Sequence, residues 1–223
     1  MTEADARQQL VDAMRTLDAR GLNRGTSGNL SVRFGSGMFV TPSGVTPDRL
    51  TPDMTVFVDA DGSVAAGAAR PSSEWQMHMG IYLRRADAQA IVHCHARHST
   101  ILACAHREIP PLHYMVAVGG GASVPVAPYA TFGSDELAGH VVQTLEGRRA
   151  CLMANHGLIA LGPSLPLAMA IAEEIEEQAA VYCGTLAIGG PKLLDHAEMD
   201  RILDAFGRYG QRDREPGKAT GND

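Results

Sequence analysis

The sequence predicts an α/β fold: a mixed, largely antiparallel central sheet covered by helices. Strand-like and helix-like stretches alternate along the whole chain. Several strands are joined by turns too short to hold a crossover helix, so those neighbours should run antiparallel. No Pro/Ser-rich linker or shift of composition interrupts residues 1–208, so residues 1–210 are expected to form one domain. The polar segment 211–223, "QRDREPGKATGND", is expected to be a mobile tail. At 223 residues and 45% apolar, the chain can bury a substantial core.

The elements follow in order. Ala6, Leu10, Met14 and Leu17 recur at helical spacing and predict an amphipathic helix over residues 3–20. "GLNRGTSGNLSVR" is a Gly/Asn/Ser turn running into a strand, and "GMFVTPSGV" a strand ending in a turn. "TVFVDADGSV" predicts a hairpin about Asp61-Gly62. "PSSEWQMHMGIYLRR" predicts a helix opened by a serine cap. "AIVHCH" is a strand, and a helix follows from about His98. "PLHYMVAV" and "SVPVAPY" are expected to be strands flanking a flexible "GGGA" turn. "GSDELAGHVVQTL" is a capped helix, and "RACLMANHGLIALG" two strands joined at "ANHG". "SLPLAMAIAEEIEEQAAVYCGTLAIG" is the longest helix and "AEMDRILDAFGRYG" the last.

The bulk chemistry argues against some functions. The net charge is −6 with charges interspersed and no Lys/Arg cluster, which disfavours binding to nucleic acid or a membrane surface. No apolar run approaches a membrane span, and the N-terminus lacks the apolar core of a secretion signal. Cys94, Cys104, Cys151 and Cys183 show no C-x-x-C spacing, so they are expected to be reduced thiols in a cytoplasmic protein.

The informative stretch is "AIVHCHARHST". On a strand, residues i and i+2 share a face, so His93 and His95 project together while Val92 and Cys94 pack the other way. Two imidazoles on one face form half of a transition-metal site. His156, at the end of an apolar strand and beside Gly157, is the natural third ligand, and Glu74 is a candidate fourth. Three histidines and one carboxylate suit Zn²⁺, and Mn²⁺, Co²⁺ or Fe²⁺ can use the same donors. His78, four residues beyond Glu74, is either a supporting partner or a packed core histidine. Three small-residue turns could hold a phosphate: Gly25 to Asn29, Thr41 to Gly44, and Ser72-Ser73 at a helix start.

In order, "LNRGTSGN", "TPSG", "PSSEW", "HCHARH", "HYM", "GGG", "APYATFG" and "NHGLIALG" resemble the class II aldolase/adducin family, most nearly its branch that cleaves L-fuculose 1-phosphate. The resemblance runs from residue 20 to about 210. It implies a three-layer α/β/α fold and a metal held by Glu74, His93, His95 and His156. It implies phosphate contacts from Gly28, Asn29, Ser43, Gly44, Ser72 and Ser73. It places Tyr114, Phe132, Phe206 and Tyr209 on the aldehyde side, and implies cyclic homotetramers with shared active sites.

The reaction so implied is reversible cleavage of a ketose 1-phosphate to dihydroxyacetone phosphate and a short aldehyde. L-fuculose 1-phosphate and 5-deoxy- or 5-methylthio-ribulose 1-phosphate are the candidate substrates. Lys192 and Lys218 are the only lysines and lie far from these motifs, so a metal rather than a Schiff base should take up the charge. Glu74 would exchange a proton with C3, and Tyr114 would serve the aldehyde oxygen. Three other readings share the scaffold: a methylthioribulose-1-phosphate dehydratase, a sugar-phosphate 4-epimerase, and a non-enzymatic adducin-like assembly module. Glu74 stands where the epimerases usually carry Asp, and the assembly modules tend to lose the metal ligands.

Overall fold

Sheet-forming residues fall into β1 (Asn29–Phe34), β2 (Gly37–Val40), β3 (Val56–Val58), β4 (Ala90–Cys94), β5 (Val126–Ala127), β6 (Ala150–Met153) and β7 (Gly157–Gly162). The structure, a computed structural model, describes residues 1–209, and the expected tail at 211–223 lies outside them. Among the described residues these seven strands form one sheet in the order β3–β2–β1–β4–β7–β6–β5. Every neighbouring pair is antiparallel except β5 and β6, which are parallel. The mixed, largely antiparallel sheet is therefore as expected.

Helices cover both faces. α1 (Glu3–Ala19), α3 (Arg97–Cys104) and α5 (Leu165–Ala187) pack on one side, α2 (Trp75–Arg84) and α4 (Asp135–Thr144) on the other. The central strand β4 shows why two cores form. Ala90, Val92 and Cys94 enter the core with α1, α3 and α5, while Ile91 enters the core with α2 and α4. Strand alternation thus sends His93 toward α2. α6 (His196–Tyr209) packs against a 3₁₀ helix at Tyr114–Gly119. No helix among the described residues is long and apolar enough to cross a membrane.

Four local expectations are corrected. "PLHYMVAV" is not a strand. Tyr114–Gly119 coils into a 3₁₀ helix, started by the His113 side chain accepting from the Met115 N–H and stopped by Gly120 at φ 87°. Burial of Val116, Ala117 and Gly119 overrides the β-preference of its Tyr and Val residues. Nor is the glycine run a loose turn: a Cβ on Gly121 would lie 1.3 Å from Arg148 Nη1, which donates to the Ser123 carbonyl. The hairpin after β3 turns at Gly62 but pairs back only through a single Val58–Val64 bridge. Finally, α2 is not capped by serine. Glu74 occupies the cap position and makes no capping hydrogen bond, while Ser72 Oγ accepts from the Glu74 N–H. The histidines beside Glu74 draw its carboxylate away from its own helix.

α3 starts immediately after His95, so its N-terminus bears on the site. Its cap position is Ala96, which has no side-chain acceptor. Glu176 on α5 supplies the missing cap: one oxygen accepts from the His98 N–H at 2.8 Å and His98 Nδ1 at 2.9 Å, the other from the Ser99 N–H at 2.8 Å. Glu176→Ala is expected to cost about 2 kcal/mol and lower Tm by about 4–8 °C, read by circular dichroism. An unchanged Tm would mean the tertiary cap contributes nothing.

Candidate metal centre

The site forms where β4 meets β7. His93 is fully buried, and its Nδ1 lies 2.9 Å from the Leu158 carbonyl on β7. A carbonyl only accepts, so Nδ1 carries a proton and Nε2 is the nitrogen that faces away from the sheet, toward Glu74. His95 lies one residue past the end of β4, where Asn23 Oδ1 accepts its backbone N–H at 3.1 Å. Gly28, at φ 71°, packs so tightly on Asn23 that a Cβ would lie 2.3 Å from the side-chain amide.

His156 stands in the turn between β6 and β7. The residue before it, Asn155, is left-handed at φ 54°, and its Oδ1 lies 2.6 Å from Nε2 of His106, itself at φ 51°. Gly157 after it has no room for a side chain. A Cβ there would lie 2.5 Å from the Cys94 carbonyl and 3.0 Å from the His95 ring. The glycine beside the histidine therefore lets the turn close on β4.

The three rings meet edge to face, with centroids 4.8–5.0 Å apart. His93 Nε2 and His95 Nε2 are 3.1 Å apart, and one potential ligand atom from each of the three lies within 4.8 Å of the others. Glu74 touches two of them through different oxygens: Oε2 is 3.2 Å from His93 Nε2, and Oε1 is 3.2 Å from His156 Nε2. Bonds of about 2.0–2.1 Å in a tetrahedral zinc shell separate neighbouring ligand atoms by about 3.3 Å. Oε1 is buried and accepts no hydrogen bond. Converging imidazole nitrogens and an unpartnered carboxylate oxygen together fit a divalent cation. The compact triad is the three histidines, with Glu74 at its margin.

The electrostatics agree with this donor set. Burial pushes the Glu74 carboxyl up, but His93, His156 and the Asn29 amide together pull it well below the usual carboxylate range. Burial, then the charge of His93, holds both His95 and His156 down to about 4, so both are neutral near pH 7. Burial also lowers His93, yet the Glu74 carboxylate and the Leu158 carbonyl outweigh it and raise its pKa.

Beside the triad opens a cleft of about 440 Å³. It is lined by Gly28, Asn29, Ser43, Gly44, Ser72, Ser73 and Phe132, together with Glu74, His95 and His156. All six expected phosphate-turn residues therefore reach one space. The backbone N–H groups of Ser43 and Ser72 are already bonded to the Arg70 and Thr41 carbonyls, so what these serines can offer an anion is the hydroxyl. Among the described residues, no Lys or Arg lines the cleft. Tyr129 and Asn155 also line it, and neither was singled out from the sequence. Asn155 carried one usable signal, since Asn tolerates the left-handed backbone of a tight turn.

Two expected residues, Tyr114 and Phe206, do not line this cleft within one chain. Tyr114, half exposed on its 3₁₀ helix, packs against the His113 ring at 4.6 Å. Phe206 lines a separate depression of about 600 Å³ with Met115 and Arg149. The side chain of Tyr209 lies outside the described residues. His78 is fully buried and hydrogen-bonded on both ring nitrogens, so it is more than core filling.

Metal analysis of the purified protein is expected to give about one divalent ion per chain. His95→Ala should lose the ion yet keep its fold, because His95 lies at the edge of the cleft. Full metal content in that variant would exclude His95 as a ligand. Gly157→Ala should also weaken metal retention by forcing the β6–β7 turn away from β4.

The sequence model of the family described as "Class II Aldolase and Adducin N-terminal domain" matches residues 8–183. The chain is 47% identical over 210 residues to a 5-methylthioribulose-1-phosphate/5-deoxyribulose-1-phosphate aldolase of Rhodospirillum rubrum, covering 94% of this chain and 95% of the relative. It is 45% identical over 206 residues to the L-fuculose phosphate aldolase of Escherichia coli K12, covering 92% and 95%. A solved L-fuculose 1-phosphate aldolase superposes with a TM-score of 0.89 at 40% identity, over 93% of this chain and 98% of that one. With a family match spanning most of its length and relatives aligned nearly end to end, the chain belongs to the class II aldolase and adducin family.

Proposed function

We propose that this protein is a zinc-dependent aldolase that reversibly cleaves a ketose 1-phosphate into dihydroxyacetone phosphate and a short aldehyde. The observation that carries this reading is the meeting of the His93–His95–His156 triad, the Glu74 carboxylate and a hydroxyl-lined cleft in one place. A divalent cation held by the histidines and Glu74 would supply Lewis acidity for the negative charge that develops on the ketose oxygens as the C3–C4 bond breaks.

The chain's own residues do the rest. Ser43, Ser72 and Ser73 donate hydroxyls to the phosphate, with Gly28, Asn29 and Gly44 letting it approach the backbone. That anchoring aligns the reacting carbons with Glu74. Glu74 Oε1, free of hydrogen bonds, exchanges the proton at C3. Phe132, 67% exposed at the rim, suits an apolar aldehyde end. Tyr114 and Phe206 stand outside the cleft of their own chain, which supports a cyclic tetramer whose neighbours bring Tyr114, Phe206 and Tyr209 to the site. The four free thiols are in keeping with a cytoplasmic enzyme.

The relatives named above supply the candidate substrates: 5-methylthio- and 5-deoxy-ribulose 1-phosphate and L-fuculose 1-phosphate. Each is to be incubated with the enzyme, and dihydroxyacetone phosphate detected by coupled NADH oxidation. Triose phosphate that appears with metal and disappears with chelator is expected. An intact dehydrated product or an epimer, without triose phosphate, would sink the aldolase reading. Ser72→Ala is expected to raise KM about tenfold for the loss of one hydrogen bond to a charged group. Mixing Tyr114→Phe with His95→Ala subunits should restore part of the activity that each lacks. Mixed oligomers that stay inactive would favour a site built within one chain.

A further inference from the structure

Glu74, His78 and Tyr82 stand at i, i+4 and i+8 along α2, facing Asn29 and Ser31 at i and i+2 on β1. Four residues of helix rise about 6 Å, and two residues of strand about 6.7 Å. The two rows therefore stay in step, and their side chains interlock. Asn29 Nδ2 donates to Glu74 Oε2 at 2.9 Å, and Asn29 Oδ1 lies 2.6 Å from His78 Nε2. His78 Nδ1 lies 2.7 Å from Ser31 Oγ, which lies 2.8 Å from the Tyr82 hydroxyl. Asn29, Ser31, Glu74, His78 and Tyr82 are all buried.

One end of this chain fixes the direction of every bond. A carboxylate only accepts, so Asn29 must turn its NH₂ to Glu74 and its carbonyl oxygen to His78. His78 Nε2 must then carry the proton. With no anion in contact with it, His78 is neutral, and its Nδ1 accepts from the Ser31 hydroxyl. The remaining lone pair of Ser31 accepts from the Tyr82 hydroxyl. The Asn29 amide could otherwise flip with almost no change of shape, which would set its oxygen against the Glu74 carboxylate.

We propose that His78 is a positioning residue for Glu74: its Nε2–H, on a ring steadied at Nδ1 by the Ser31 and Tyr82 hydroxyls, holds the Asn29 amide in the one orientation that ties down Glu74 Oε2 and leaves Oε1 as the working oxygen. This deepens the aldolase reading and rests on it for the role of Glu74. The chain does not conduct protons, because the Asn29 amide interrupts it; it orients.

The test uses the full-length, zinc-loaded protein and three variants. His78→Phe keeps an aromatic ring but removes the donor. It is expected to lower kcat about 10- to 100-fold and to weaken zinc binding about tenfold in a chelator competition, with KM changed little. His78→Gln restores an amide donor facing Asn29 and should recover most of both. Ser31→Ala leaves His78 Nδ1 without its donor, loosens the ring, and should lower kcat by a smaller factor while the protein stays folded. Folded His78→Phe with unchanged kcat and zinc affinity would overturn the proposal. So would equal losses in His78→Phe and His78→Gln with Ser31→Ala unaffected, since packing alone would then explain them. If His78→Phe does not fold, Ser31→Ala decides: a lower kcat at unchanged KM supports the proposal, and no change overturns it. A wild-type protein that yields no triose phosphate from any ketose 1-phosphate would instead fail the aldolase reading. The zinc competition would still report on the positioning.

Discussion

The structure depends on one hydrogen bond at the centre of its sheet, from His93 Nδ1 to the Leu158 carbonyl. A fully buried imidazole is costly unless both nitrogens have partners. Leu158 satisfies one and in doing so settles which nitrogen faces the cavity. β4 must therefore lie beside β7, and the β6–β7 turn must end close to β4. His156 arrives with that turn, and Gly157 permits the approach. α2 then lies over the same face of the sheet and brings Glu74. The polar centre and the hydrophobic packing are thus one arrangement, since the strand pairing that buries Val92, Cys94 and Leu158 also orients the ligand set.

The polar side chains on this face fall into two kinds. Those running from Tyr82 to Asn29 are connected end to end, which makes that part of the interior rigid. Glu74 Oε1 is the exception, buried without a hydrogen bond. Two further tensions lie near it: the left-handed Asn155 and His106 hold each other by a hydrogen bond. Backbone strain of this kind persists where its surroundings over-determine it, and here it borders the cleft.

Much of this was legible in the sequence because it follows from short-range periodicity. The alternation of Val92, His93, Cys94 and His95 told which side chains share a face, and the two cores bear it out. The interspersed elements and short turns gave the mixed sheet. What escaped depends on distant partners. Tyr114–Gly119 carries strand-forming residues yet coils, because its apolar side packs against α5. Glu74 resembles a first-turn carboxylate, but histidines far along the chain pull it from that duty. The α3 cap comes from Glu176, 78 residues beyond His98, and no local pattern announces it. Tyr129 and Asn155 reach the cleft only through the path of their loops. Tyr114 and Phe206 were placed by resemblance alone, and one chain does not bring them to the cleft.

The absence of Lys and Arg from the described cleft lining has a consequence for how a phosphate ester arrives. With a net charge of −6 and no Lys or Arg among the described lining residues, the cleft walls themselves add little long-range pull on an anion in solution. Apart from the cation that the triad would hold, the groups the lining offers an anion are neutral hydroxyls and backbone dipoles, whose fields fade within a few ångströms. Such recognition is little weakened by mobile ions, which screen exposed charges over a Debye length of about 8 Å at physiological ionic strength. It also discriminates by shape rather than by charge. A diphosphate or a nucleotide finds no extra Lys or Arg among the described lining residues to hold its additional charge, so other phosphorylated metabolites compete at these walls only as far as they fit.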